Sequence, residues 1–177
     1  MYIAASARWF CFLTWICAVV HPASAKDAPT VIAGMNNLRQ SVDSAQAVFN
    51  GYDGGWMSSW ELARAVWDVY AQTKSARGEW DSAPAFKDDE VPDILVAYHS
   101  MRQSVADTLG AAGSKGSMYD KSGVRLMAVA IMQMFENERS SFQEAARAKI
   151  PEAFHDDIAG PVANLGNEFQ SAMKALA

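Results

Sequence analysis

From Val31 to Met173 the apolar residues of this chain recur at intervals of three and four. Val31, Met35, Leu38, Val42, Ala45 and Phe49 are spaced 4, 3, 4, 3, 4. That repeat keeps one face of an α-helix apolar and would scatter the same side chains over both faces of a strand. A second stripe runs Trp56, Trp60, Ala63, Trp67 and Tyr70, joined by Val66 and Thr73. A third runs Val91, Ile94, Leu95, Tyr98, Met101, Val105 and Leu109, with Pro92 tolerated in the first turn. The fourth, Leu126 to Phe135, reads LMAVAIMQMF, and Phe142 and Ala145 continue it. The fifth is Phe154, Ile158, Val162, Leu165, Phe169 and Met173. No segment sustains a period of two between hairpin turns. The chain is therefore read as all-α, a single-domain five-helix bundle around an apolar central cavity or core.

The breaks between stripes are GYDGG, WDSAPAFKDD, GAAGSKGS and KIPE. Thr30, after Pro29, is the expected N-cap of the first helix, and Gly160-Pro161 is a point where the fifth can kink. The stretch FNGYDGGW, Phe49 to Trp56, could suggest a ligand loop. An EF-hand loop needs acidic side chains at alternate positions and a distant glutamate, whereas Asn50 and Asp53 are three apart. A P-loop needs a lysine after its glycines and a strand before them. The stretch is read instead as a turn: Gly51 is the expected left-handed C-cap, and Gly54 and Gly55 let the chain reverse.

The N-terminus reads as a secretory leader over residues 1–25. Arg8 supplies a positive charge, WFCFLTWICAVV an apolar segment, and Ala23 to Ala25 a small-x-small cleavage site. That apolar segment is shorter than the ~20 residues a transmembrane helix needs. Cleavage would leave a domain over residues 26–177, 152 of the 177 residues, long enough for one sizeable core. Cys11 and Cys17 would leave with the leader, so disulfides and thiolate chemistry are not expected. Loss of Arg8 leaves 14 basic against 20 acidic residues, a net charge of −6. That balance argues against nucleic acid and against anionic membrane as partners. No N-x-Ser/Thr sequon and no hydrophobic C-terminal tail occurs in the sequence, so a freely secreted, extracellular product is expected.

Catalytic and metal chemistry find little support. His99 and His155 lie on different helices with no serine nucleophile motif nearby. His155, Asp156 and Asp157 point in different directions within one helical turn. KDDE, Lys87 to Glu90, is most simply an acidic helix N-terminus favoured by the dipole. No catalytic residue, metal site or cofactor is expected, and the chain is read as a non-enzyme.

The apolar inventory is less ordinary. Trp56, Trp60 and Trp67 share one helix, with Trp80 further along. The fourth helix is apolar on nearly every side and carries Met127, Met132 and Met134. A helix apolar all round is expected to be surrounded, and methionine repacks readily around apolar shapes. A dry core and a cavity for a long apolar ligand both fit these residues.

The segments AVFNGYDGG (Ala47 to Gly55), GSMYDKSGV (Gly116 to Val124) and ARAKIPEAF (Ala146 to Phe154) occur in this order across nearly the whole mature chain. In order and spacing they resemble the fungal hydrophobic surface-binding protein A family, also called cell-wall galactomannoproteins. The resemblance implies a secreted helical domain that binds fatty acids or related lipids, or adsorbs to hydrophobic surfaces and recruits a secreted hydrolase. It also implies cell-wall association in some members; a Ser/Thr-rich tail like theirs does not occur here. If the bundle holds a lipid, the expected lining is Leu38, Val42 and Phe49 from the first helix, Val66 and Tyr70 from the second, and Tyr98 and Met101 from the third. Met127, Ile131, Met134 and Phe135 from the fourth and Val162, Leu165 and Phe169 from the fifth complete it. A carboxylate head group cannot be left bare inside; Ser41, Thr73 and Gln133 stand beside the stripes as donors, and Trp60 and Trp67 as reporters.

Overall fold

The structure is a computed structural model that describes residues 27–176. The expected leader therefore lies outside the described residues. Six α-helices and no strand occur among them: α1 (Ala28–Gly51), α2 (Trp56–Ser82), α3 (Val91–Gly113), α4 (Gly116–Ser122), α5 (Arg125–Lys149) and α6 (His155–Leu176). A 3₁₀ turn, Glu152–Phe154, leads into α6. The count exceeds the expected five because GSMYDKS forms a short helix of its own, separated from α5 by Gly123 at φ 72°.

The five long helices form a closed ring. α1 packs on α2 and α3, α3 on α6, α6 on α5, and α5 back on α2. The stripe of α1 is buried as the spacing dictates: Val31, Met35, Leu38, Val42, Ala45 and Phe49 all face inward. Ile158, Val162, Leu165 and Phe169 do the same on α6, which continues through Pro161 as one helix. Two apolar clusters fill the ring. One centres on Trp80, whose ring meets Phe86 at 5.4 Å and Phe142 at 5.7 Å. The other holds Phe49, Leu109, Leu165 and Phe169, with Tyr119 of α4 closing that end of the ring.

The tryptophans of the second stripe are turned the other way, while its Val66 and Thr73 face inward as expected. Trp56, Trp60 and Trp67 are exposed, and α2 buries Leu62, Thr73, Ala76 and Trp80 instead. Both sets have helical spacing, and Leu62, Val66, Val69, Thr73, Ala76 and Trp80 form the inward one. The fourth helix also departs from expectation. Leu126 is 86% and Met127 56% exposed, so α5 is not surrounded and buries only Met132, Phe142 and Ala146.

The turn after α1 is built differently from the expected glycine cap. Gly51 is the last helical residue and Tyr52 caps the helix in an extended conformation. The left-handed residue is Gly54, at φ 80°. Lys115 Nζ donates to the carbonyls of Asn50 at 2.9 Å and Tyr52 at 3.3 Å, satisfying the helix end from another loop. Tyr52 lies against Tyr119 and shares a 2.6 Å hydrogen bond with Ser122. Asp53 Oδ1 accepts from Gly55 N at 2.8 Å and from Ser58 Oγ, and these bonds hold its carboxyl below the ordinary value. At the start of α1 the N-cap is Asp27, not Thr30: its carboxylate accepts from Thr30 N at 3.1 Å.

Candidate functional site: an apolar void and a basic groove

Between the helices of the ring lies a partly open void of about 130 Å³, where the two apolar clusters meet. Each long helix contributes to its wall. Leu38, Val42, Ala45 and Phe49 come from α1, and Val66, Val69 and Thr73 from α2. α3 gives Tyr98, Met101, Val105, Thr108, Leu109 and Ala112, and α6 gives Val162, Leu165 and Phe169. α5 gives Ile131, Met132, Phe135, Glu138, Arg139, Phe142 and Gln143.

Of the expected lining, Leu38, Val42, Phe49, Val66, Tyr98, Met101, Ile131, Phe135, Val162, Leu165 and Phe169 stand together around this void. Tyr70, Met127 and Met134 do not line it. Tyr70 sits behind the wall, with its ring 5.9 Å from Trp67 and 6.3 Å from Phe135. Met127 faces solvent, and Met134 is only half-buried. The phase of α5 sets both placements, because Met132 and Phe135 take the inward positions.

Among the suggested donors, Thr73 lines the void but its hydroxyl already donates to Val69 O at 2.8 Å. Ser41 donates to Leu38 O at 2.9 Å and stands outside, and Gln133 is exposed. Sequence reasoning missed the polar residues that do reach the wall. Glu138, Arg139 and Gln143 lie on α5 beyond its densest apolar run. Their spacing after Phe135, at three, four and eight residues, was the signal.

Glu138 is already engaged. It accepts from Lys74 Nζ and, at 2.8 Å, from Arg77 Nη1, both on α2. The Glu138 hydrogen bond also holds the Lys74 ammonium above its ordinary value. Tyr98 is pushed up to about 12 by burial, against the lowering charges of Arg102 and Arg139. On the far side of Arg139 and Gln143, an open groove of about 430 Å³ runs between α5 and α6. Arg139, Gln143 and Val162 belong to both spaces. Arg147, His155 and Asn167 line the groove, and no acidic side chain among the described residues does. His155, from the FHDD segment, holds Nε2 3.0 Å from Ile150 O at the end of α5. Among the described residues no group of three or more His, Cys, Asp or Glu side chains is placed to hold a metal ion. The arrangement can enclose an apolar chain and offer its end a cationic, hydrogen-bonding exit.

Comparison with solved structures agrees with the architecture. The structure of AFMP4P in complex with palmitic acid matches with a TM-score of 0.82 at 14% identity, covering 85% of this chain and 100% of the other. Ligand binding domain 1 of Penicillium marneffei MP1 protein, complexed with arachidonic acids, matches with a TM-score of 0.79 at 14% identity over 85% and 99% of the two chains. Domain 2 of the same protein, complexed with multiple arachidonic acids, matches at 0.78 with 12% identity over 85% and 96%. At such identities these likenesses establish the fold. A search of curated protein sequences finds no match. The sequence profile of hydrophobic surface binding protein A matches residues 28–148. The chain therefore belongs to the hydrophobic surface binding protein A family.

Proposed function

We propose that this protein binds a single long-chain fatty acid, with the tail between the helices of the ring, and has no catalytic role. The observation that carries this reading is the void itself, walled by apolar side chains from all five long helices. The palmitic and arachidonic acids bound by proteins of the same fold support it. A void of about 130 Å³ is close to the ~150 Å³ cavity that holds a benzene. It accommodates a short part of an acyl chain, so a full tail requires the ring to widen. The α2–α5 contact is the natural place, because α5 packs less closely on its neighbours than α1 does. Burying about a dozen methylenes gains ~10 kcal/mol gross at ~0.8 kcal/mol each. Lost translational and conformational freedom removes several kcal/mol. An affinity around micromolar follows, rising with chain length until the space is filled. Calorimetric titration with saturated acids of increasing length tests it. Saturable one-to-one binding that tightens with length is the expected result; no heat across the series would end the proposal.

A second reading is favoured by a separate observation. Trp56, Met57, Trp60 and Trp67 on α2, with Leu126 and Met127 at the start of α5, are all more than half exposed. Apolar surface of that kind marks interaction sites. The reading is adsorption to hydrophobic material, with a secreted hydrolase as the partner brought there. Both readings have the protein act outside the cell after removal of residues 1–25; N-terminal sequencing of secreted material should begin near Lys26, and finding residues 1–25 still attached would contradict the cleavage and the loss of Cys11 and Cys17 with it.

A further inference from the structure

Among the described residues, Arg139 is the one cation that reaches the wall of the apolar void. The ion pairs among the described residues join Lys74 and Arg77 to Glu138, Arg77 to Asp81, and Arg125 to Asp120. None of them uses Arg139. Its Nε is buried without a hydrogen-bond partner. A buried guanidinium nitrogen left unpaired is costly, and proteins retain such groups where something completes them. The neighbouring carboxylate on α5, Glu138, cannot serve, because Lys74 and Arg77 both hold it.

The surroundings of Arg139 leave room for an anion. Across the α5–α6 contact stands Gly166, where a Cβ would come within 3.7 Å of the guanidinium Cζ. No side chain of α6 therefore covers the guanidinium there. Gln143 is one turn further along α5 and lies in both the void and the groove, as Arg139 does. Tyr98 contributes to the same wall from α3, and the Arg139 charge reaches its hydroxyl. Apolar wall thus gives way to a planar cation, an amide and a phenol at one place, where the void meets a groove without acidic lining.

We infer that Arg139, with Gln143 beside it, is the carboxylate anchor of this protein, and that it selects free fatty acids over their neutral esters. The inference rests on the fatty-acid reading above. The guanidinium fork matches a carboxylate with two parallel hydrogen bonds, a geometry an ester cannot reproduce as a neutral acceptor. The tail then lies in the void and the head at its junction with the groove, between α5 and α6. Tyr98 stands on the tail side of the anchor.

Parallel calorimetric titrations with palmitate and methyl palmitate test this, using the parent protein, Arg139→Gln, Arg139→Lys and the surface control Arg39→Gln. The parent should prefer palmitate. Arg139→Gln should weaken palmitate roughly ten- to a hundredfold, the scale of a charge-assisted hydrogen bond, and weaken methyl palmitate much less, so that the preference for the acid is lost. Arg139→Lys should recover part of the loss, and Arg39→Gln should match the parent. Thermal melts of each variant establish that it is folded. Equal affinity of the parent for acid and ester, or unaltered palmitate binding by a folded Arg139→Gln, would overturn the anchor while leaving lipid binding intact. Binding of neither ligand by the parent would remove the fatty-acid reading and the anchor with it.

Discussion

Arg77 of α2 donates to Glu138 of α5 at 2.8 Å, tying together the two helices whose contact closes one side of the void. Lys74 takes the other carboxylate oxygen. Glu138 is thus both a wall residue and a clasp. Replacing it with alanine removes the clasp and leaves two cations facing each other's repulsion. Fatty-acid association followed by stopped-flow should become faster, with a lower melting temperature. An unchanged association rate would place the route for the ligand elsewhere.

The turn after α1 makes a pair of opposite expectations. Gly54 has a positive φ, and a Cβ there would lie 3.1 Å from Met118 O. Gly54→Ala should cost about 1–2 kcal/mol. Gly51 is helical with nothing within 4 Å of a Cβ, so Gly51→Ala should be neutral or stabilise by up to about 1 kcal/mol. Chemical denaturation of both variants measures the difference. Equal destabilisation of the two would contradict the observed turn.

Tyr98 links stability to alkaline pH. Its phenol is raised from 10.0 to about 12 in the fold, chiefly by burial. A raised value contributes stability in full below pH 10 that is lost as pH climbs through 12. The loss is on the order of 2 kcal/mol. Tyr98→Phe should flatten the decline of stability between pH 10 and pH 12. Tyr119, raised in the same direction by burial, will still contribute its own slope.

The exposed tryptophans separate the two functional readings. Trp56, Trp60 and Trp67 are solvent-facing, whereas Trp80 is fully buried. Iodide should quench the first three and spare the last. Trp60→Ser with Trp67→Ser should leave stability within about 0.5 kcal/mol of the parent, as exposed positions do. Adsorption of this double variant to a hydrophobic plate should fall if the surface reading holds. Undiminished adsorption would remove the α2 face from that reading.

How far the sequence could be read depended on how unevenly each helix distributes its apolar residues. α1 and α6 carry one stripe each, so spacing determined both their existence and their inward face. α2 carries two. The stripe with three tryptophans looked like the core, yet the ring buries the other, in which Thr73 and Ala76 let neighbours approach and Trp80 fills the end. α5 has apolar residues at nearly every position from Leu126 to Phe135, so its period could not say which side faces in. Only packing resolves that, and it sends Met127 out and Met132 in. The polar end of the site was invisible for a related reason. Arg139 and Gln143 look like ordinary surface residues until α6 places Gly166 opposite them. The fate of Gly51 depended on Lys115, a contact made across 65 positions of sequence.

The most direct test of the central claim is a calorimetric titration of palmitate into the parent protein and into Ile131→Trp. Ile131 belongs to the wall of the void and is only half-buried, so an indole there can turn inward and fill the space. The account predicts one-to-one binding by the parent, and loss of binding by a variant that melts cooperatively. Overpacking alone would cost about 1–3 kcal/mol of stability. Binding of palmitate by folded Ile131→Trp with the parent's affinity and stoichiometry would contradict the claim that the acyl chain lies inside the ring.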